Sequence, residues 1–417
     1  MTRADLETGR ETGNPRPVRA SLIAAIVFLS AVGPLATDMY VPAFPHVAAD
    51  LGASVTEVQL TLTTFFAGMG LGQLIGGPFS DQRGRRRPLL AGTVLVLIAS
   101  VGCALAPNIG ILMAARCVQG LGGGWALVVA RSVIVDLASG SQLVWAMNVL
   151  LGAGALAPIL APLVGAGILQ FAQWRVTFWV LAAAGLAMTV CALFVVPESL
   201  PPERRHRGGL RALGRAARTV LGERRYVGYV MVNASSMFAV FSYVATSAFV
   251  LQTINGLSPA AYSADFATNA GGMMLATLVC ARLAGRVPTR RVILVGICLS
   301  LTSGLSMLIG AAWFGAPLVL AVICFFCLMT AQGMIGPNSG ALASGEVPEY
   351  AGTGIAVMGL FQSIAASVAA PLTGLLGTST AVPLGVLMVL GASSAMVGLL
   401  LVARPRRAPA SPEAARR

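Results

Sequence analysis

The chain has 417 residues, of which 56% are hydrophobic and only 10% charged, against roughly 45–50% apolar usage in soluble domains. With a mean hydropathy of +0.81, that much apolar side chain has no place to hide in water, so the bilayer is the main solvent. The net charge of +13 comes from arginine alone, with no lysine anywhere; in such a chain it reads as membrane orientation, and a nucleic-acid partner is excluded.

Residues 1–19 are a charged tail. The first apolar stretch, 20–43, is too long for the core of a cleaved signal peptide and reads as an uncleaved span. It contains Asp38, about 27 Å along a helix from the start of the span, with Pro34 and Pro42 on either side to bend it or free carbonyls. A second stretch, 56–79, runs into "GGPFSDQRGRRRPLL" (residues 76–90), where four of the five residues 83–87 are arginine. Spans 88–106 and 109–135 follow. The second of these carries Arg116, one turn before the run "QGLGGGWAL", and ends near Arg131. An arginine inside a span costs at least ~2.5 kcal/mol and needs an acidic, carbonyl or aqueous partner. The glycines lie inside the span with no preceding strand, so they serve close helix packing and not nucleotide binding.

Spans 144–169 and 176–196 complete a first group of six. Residues 197–225 then form a polar interruption containing eight arginines, within which "GLRALGRAARTVL" has the pattern of a short basic amphipathic helix at an anionic lipid surface; a solvated linker is the other reading. Six more spans follow at 226–251, 260–284, 292–312, 317–342, 352–376 and 381–403, with a tail at 404–417. Asp265, near the start of span 8, is a further acid expected at the outer interface. Cys324 and Cys327 form a CxxC on one face of an apolar helix and read as packing; the seven cysteines are dispersed, and His46 and His206 build no metal site. No metal or cofactor is expected.

A helix needs about 20 apolar residues to cross the bilayer, so twelve spans are predicted, arranged as two six-helix bundles, 20–196 and 226–403. Every arginine except Arg116 and Arg175 falls on one side of that topology, which places both termini and the 197–225 loop in the cytoplasm. The halves echo each other. "APLVG" from Ala161 returns as "APLTG" from Ala370, "QGLGG" from Gln119 as "QGMIG" from Gln332, and the "GRRRPLL" of Gly84 faces "PTRRVIL" from Pro288. A common offset near six helices argues for a duplicated unit, typical of secondary transporters.

The loop after span 2 resembles the G-x-L-x-D-R-x-G-R-R/K-x-x-L signature of the major facilitator superfamily, carried by Gly77, Asp81, Gly84, Arg85, Arg86 and Leu89, with Phe79 and Gln82 departing from it. "LMAARCVQGLG" is similar to the span 4 motif of proton antiporters through Leu112, Arg116, Gln119, Gly120 and Gly122. "LGAGALAPILAPLVG" is similar to the exporter motif of span 5 through Gly154, Pro158, Pro162 and Gly165. "TDMYVPAFP", "WRVTFWVLA" and "FVLQTINGLSPAAY" resemble the bicyclomycin/chloramphenicol-resistance (Bcr/CflA-type) drug:proton antiporters. The resemblance implies a monomeric, multi-pass protein of the bacterial plasma (inner) membrane, without a cofactor, that exports small amphipathic compounds in exchange for protons by alternating access.

On that reading Asp38 is the proton- or substrate-responsive acid and Arg116 modulates it. Tyr40, Gln119, Phe238, Tyr243 and Gln362 line the cavity, each equally readable as packing. Asp81 is expected to accept from Arg85 or face the start of span 11 in a cytoplasmic latch. In this branch span 4 often ends Arg-Asp; here Val135 precedes Asp136, which points to wiring through Arg131. Two other readings are an exporter of one endogenous metabolite (an amino acid, a sugar or a self-made antibiotic) and a membrane-embedded enzyme or sensor. For the last, the sequence offers no nucleophile–base pair or metal cluster.

Overall fold

The structure, a computed structural model, describes residues 20–138, 140–205, 209–375 and 380–404. The two tails as far as 1–19 and 405–417, and His206 with Arg207, lie outside the described residues. Among those described, every regular element is a helix: α1 (Ala20–Ser30), α2 (Val32–Asp38), α3 (Phe44–Leu51), α4 (Val55–Arg83), α5 (Arg86–Ala104), α6 (Ile109–Leu137), α7 (Gly140–Phe171), α8 (Arg175–Phe194), α9 (Gly209–Gly222), α10 (Arg224–Ala248), α11 (Pro259–Leu283), α12 (Thr289–Phe314), α13 (Leu318–Glu346), α14 (Ala351–Leu375) and α15 (Val382–Val397). Eleven helical segments among the described residues are long and apolar enough to cross a membrane. The predicted fifth span lies within α7, of which Leu156–Phe171 is a shorter apolar stretch.

Local chemistry sets the ends. Ser54 and Glu57 form a reciprocal capping box at the start of α4, and the side chains of Asn108 and Ser258 accept from the first turns of α6 and α11, satisfying otherwise orphaned amides. Gly52 and Gly315 close α3 and α12 in the left-handed conformation, which glycine adopts without steric cost.

The first span is not the single helix 20–43. It is interrupted at Ala31 and again at Met39–Tyr40, passes through a 3-10 turn at Val41–Ala43 and continues as α3. Each interruption lies just before a proline. Pro34 cannot donate to the carbonyl of Ser30, nor Pro42 to that of Asp38, so the ladder opens on both sides of the acid. Two further segments are wider than α-helical: Phe249–Ile254 prolongs α10, and Gly398–Val402 prolongs α15, as π-helical turns.

The glycine run of α6 serves close approach. A methyl added at Gly68 or Gly72 of α4, or at Gly120 or Gly124 of α6, would stand 1.9–2.1 Å from a carbonyl oxygen of the facing helix. The two backbones therefore lie in direct contact, as small residues permit in membranes. Gly120→Val is expected to cost about 3 kcal/mol or more through overpacking, read as a lower Tm and a smaller folded peak by size exclusion in detergent. The second half repeats the device, with Gly333 of α13 lying against the Met273 carbonyl of α11.

Helices α4, α5, α6 and α8 pack on one another, as do α10 to α15. Between the groups, α4 lies along α14 and α7 along α11. Helix α9, the predicted amphipathic segment, touches α4, α10 and α14, and its Val220 is buried in the apolar cluster of the second half.

Candidate functional site

The break at Met39–Tyr40 builds the first part of the site. The Tyr40 amide donates to the Thr37 carbonyl, so the carbonyl of Ala36 is released from the helical ladder. Arg116 takes it. Its guanidinium, fully buried, donates to Ala36 O at 2.8 Å and to Gln119 Oε1 at 2.6 Å. Gln119 in turn donates to Ser100 Oγ at 2.7 Å. Three rings enclose the cation: Phe65 at 4.4 Å, Tyr40 at 5.0 Å and Phe178 at 5.8 Å from its centre. Such contacts are worth up to about 2 kcal/mol each when desolvated. Its Nε and second terminal nitrogen have no partner, and no acid pairs with it among the described residues. Arg116 is thus held by a carbonyl, an amide and aromatic faces, without an ion pair to Asp38.

Asp38 ends α2, buried, and its Oδ1 accepts from Thr37 Oγ1 at 2.9 Å. A methyl at Gly165 would stand 2.2 Å from the carbonyl of Met39, so this glycine of the span 5 motif lets α7 lie directly against the break beside Asp38. Pro158 and Pro162 lie inside the same helix. Gly154 is in its helical backbone, and contacts at that position lie outside the described residues. Tyr40, next to Arg116, accepts from Thr61 Oγ1 at 3.1 Å.

The second half supplies aromatic and amide groups. Tyr243 of α10 is buried between Phe325 and Phe266, with ring centroids 4.7 and 5.8 Å away, and close enough to Asp38 for an electrostatic interaction. Asn269 donates to the Tyr243 hydroxyl at 3.1 Å and to Asp265 Oδ2 at 2.9 Å. Asp265 is partly buried and belongs to this network. Gln362 donates to Asn233 Oδ1 at 2.5 Å, and Asn233 donates to Ser339 Oγ at 2.9 Å. Phe238 is half-buried one turn before Ser242, which donates to its carbonyl. The structure therefore separates the cavity candidates: Tyr40 and Gln119 surround Arg116, Tyr243 joins Asn269 and Asp265, and Gln362 belongs to a distinct amide cluster. The repeat explains an asymmetry. Gln332 occupies the position matching Gln119, bonded to Ser236, while the position matching Arg116 is Met329, buried and uncharged.

The halves are joined at one end. Gln59, completely buried, donates to the Ala245 carbonyl at 3.2 Å and accepts from Thr373 at 3.1 Å; Gln252 donates to the Pro42 carbonyl at 3.2 Å. The rings of Phe66 and Phe241 meet at 4.4 Å. At the opposite end, no hydrogen bond or ion pair directly joins α4–α8 to α10–α15 among the described residues.

At that opposite end stands a cluster centred on Arg85. Its guanidinium donates to Asp136 at 2.8 Å, Asp81 at 2.5 Å and Ser80 at 2.7 Å. Burial works against its charge, but Asp136 and then Asp81 hold it above the ordinary arginine value. Asp136 also accepts from Ser199 at 2.9 Å, and Glu198 accepts from the Arg85 amide at 2.7 Å. Arg86 donates to the Leu193 carbonyl at 2.5 Å. Gly84, at φ 90, lies where a methyl would stand 2.5 Å from Glu198; Gly77 has only Val128 nearby, at 3.9 Å. The expectation that Arg131 wires Asp136 is corrected: Asp136 pairs with Arg85, and Arg131 is exposed with no ion pair among the described residues.

Glu198 and Ser199 were missed in the sequence. The available signal was an acid at the end of span 6, on the same side as the arginine run. Because Asp136 is 17% exposed and Asp81 43%, the pairs are unequal, exposed ones being worth little. Arg85→Ala is expected to slow transport more than Asp136→Asn, and Asp136→Asn more than Asp81→Asn. Initial transport rates at matched expression check the order.

Among the described residues no group of histidine, cysteine, aspartate and glutamate is placed to hold a metal ion, and the cysteines are all free. The fold, a buried charge in a broken first span and two repeated helical halves together describe a multi-span membrane transporter. Residues 26–370 match the Major Facilitator Superfamily, and the chain belongs to it. It is 33% identical over 391 residues to the uncharacterized MFS-type transporter YdgK of Bacillus subtilis, covering 93% of this chain and 95% of that one. Identity to the bicyclomycin resistance protein homolog of Haemophilus influenzae is 28%, over 87% and 91% of the two chains. Identity to the Escherichia coli multidrug resistance protein MdtL is 28%, over 69% and 74%. Among solved structures the fold is similar to a D-xylose–proton symporter, at TM-score 0.70 and 16% identity over 92% and 96% of the chains.

Proposed function

We propose that the protein is a proton-coupled efflux transporter that exports small amphipathic drugs or antibiotics across the bacterial inner membrane by alternating access. It acts as a monomer with twelve spans in two halves, 20–196 and 226–403, and both termini and the 197–225 loop in the cytoplasm. The proton gradient is the only energy source and no cofactor takes part. In this topology the Gln59–Ala245–Thr373 contacts form an extracytoplasmic gate and the Arg85 cluster a cytoplasmic latch. Asp38 exchanges protons, and Arg116 holds the broken first span beside it.

The observation that carries the reading is Asp38 itself: a buried carboxyl at a helix break, within electrostatic reach of Tyr243 of the other half, with no arginine paired to it among the described residues. Moving one charge through the membrane potential yields about 2.3 kcal/mol per 100 mV, a roughly fortyfold gradient. Two relatives carry resistance names, which favours drug export over export of one endogenous metabolite. A growth-inhibition panel with and without expression, joined to accumulation assays with an uncoupler, tests the reading. Expression is expected to raise tolerance to several amphipathic compounds, and the uncoupler to restore their accumulation. An unchanged panel together with one metabolite lost from the medium on gene disruption favours the endogenous exporter.

A further inference from the structure

We propose that Asp265 is a second proton-binding site, and that the Asn269 amide transmits its protonation state to the Tyr243 hydroxyl, within electrostatic reach of Asp38. The inference rests on the proton-coupled reading above. Its basis is an incomplete hydrogen-bond chain in α11. Asn269 is 1% exposed; its Nδ2 serves both Asp265 and Tyr243, whereas its Oδ1 is buried without a partner. A carboxylate only accepts, and an amide nitrogen only donates, so this arrangement fits an ionised Asp265. When Asp265 takes a proton from the aqueous side, its new O–H needs an acceptor, and Nδ2 is the wrong group.

The idle Oδ1 is the right one. A half-turn of the amide brings Oδ1 to face Asp265 and Tyr243, accepting from the first and offering an acceptor to the second. The Tyr243 hydroxyl then changes from accepting to donating. Its ring is fixed between Phe266 and Phe325, so only the direction of the O–H changes, and no proton leaves the phenol. Both carboxylates lie within electrostatic reach of Tyr243 and Tyr262. Loading Asp265 thereby alters what the second half presents to Asp38 in the first.

The other groups around α11 leave this pathway clear. Tyr262, on the same helix, bonds with Ser247 of α10. The neighbouring α7 carries no charged residue, and α13 carries only Glu346, at its far end. The 3-10 turn Val41–Ala43 and the π-turn Phe249–Ile254 have none. Beside the thiols of Cys324 and Cys327 on α13, Asp38 and Asp265 are the carboxyls within electrostatic reach of both tyrosines.

The test follows Tyr243 by the ring Cζ resonance of 13C-tyrosine in the purified, detergent-solubilised protein, assigned with Tyr243→Phe, across pH. In the Asp38→Asn background, which silences the other carboxyl within reach of Tyr243, the resonance is expected to move with pH; adding Asp265→Asn or Asn269→Leu is expected to flatten it, and Asp265→Glu to restore the movement with a displaced midpoint. Vesicle efflux is expected to show a pH midpoint displaced by about one unit in Asp265→Asn, with no further displacement on adding Tyr243→Phe. A resonance flat in the Asp38→Asn background, or titrating unchanged when Asp265→Asn is added to it, overturns the proposal. If it titrates as expected while wild-type efflux ignores an imposed pH gradient, the switch stands and the proton-coupled reading falls.

Discussion

Arg116→Ala is expected to abolish efflux and to lower the thermal unfolding midpoint. The substitution empties the space between Tyr40, Phe65 and Phe178 and leaves Gln119 Oε1 and the Ala36 carbonyl without their donor. Loss of a large buried side chain alone costs about 3–5 kcal/mol, and each orphaned acceptor adds roughly 1–3 kcal/mol. Arg116→Lys separates charge from shape. Lysine keeps the cation but lacks the planar guanidinium that lies on aromatic faces while its Nη1 donates to both acceptors. Its efflux is expected to fall at least about tenfold, since the loss of one charged hydrogen bond is worth ~1.5–3 kcal/mol. Inverted-vesicle efflux and Tm in detergent check both; a lysine variant equal to wild type would show that only the charge matters.

The second large effect is expected at Asp38. Asp38→Asn keeps the shape and an oxygen to accept from Thr37, so the fold and downhill substrate exchange should persist. What should disappear is accumulation against a gradient, from roughly fortyfold per 100 mV for one coupled charge to equality across the membrane. The measurement is exchange compared with gradient-driven uptake in inverted vesicles. Undiminished driven uptake in the asparagine variant would remove Asp38 from proton coupling and leave it a structural carboxyl at a helix end.

The fold was legible because its signals are local and repeated. Apolar stretches long enough for the bilayer, arginines clustered between them and internal matches at similar offsets all survive in a linear reading. Most helix limits are likewise local, as the Ser54–Glu57 box and the prolines show. The first span is the instructive exception. Pro34 and Pro42 marked it as bent, but the interruptions at Ala31 and Met39–Tyr40 and the continuation to Leu51 depend on what receives the freed groups, and Arg116 lies 80 residues from Ala36.

The sites were legible in part. Asp38 and Arg116 stood out because charge is costly inside a span, yet their relation to each other was not readable: hydropathy gives depth along a helix and no partner across it. Arg85 and Asp81, one turn apart, were within reach of sequence spacing, whereas Asp136 and Glu198 come from other helices and the expected link through Arg131 was wrong.

By itself, then, the sequence determined a membrane chain of many apolar spans with internal sequence echoes, and which residues are costly to bury. Only the tertiary structure decided that a released carbonyl, the Gln119 amide and three aromatic rings hold Arg116, with no acid paired to it among the described residues; that Met329 replaces it in the second half; and that Asp265 and Tyr243 share the Asn269 amide. Periodicity and hydropathy are sums along one chain direction. A hydrogen bond is a coincidence in space between groups that the chain order keeps far apart.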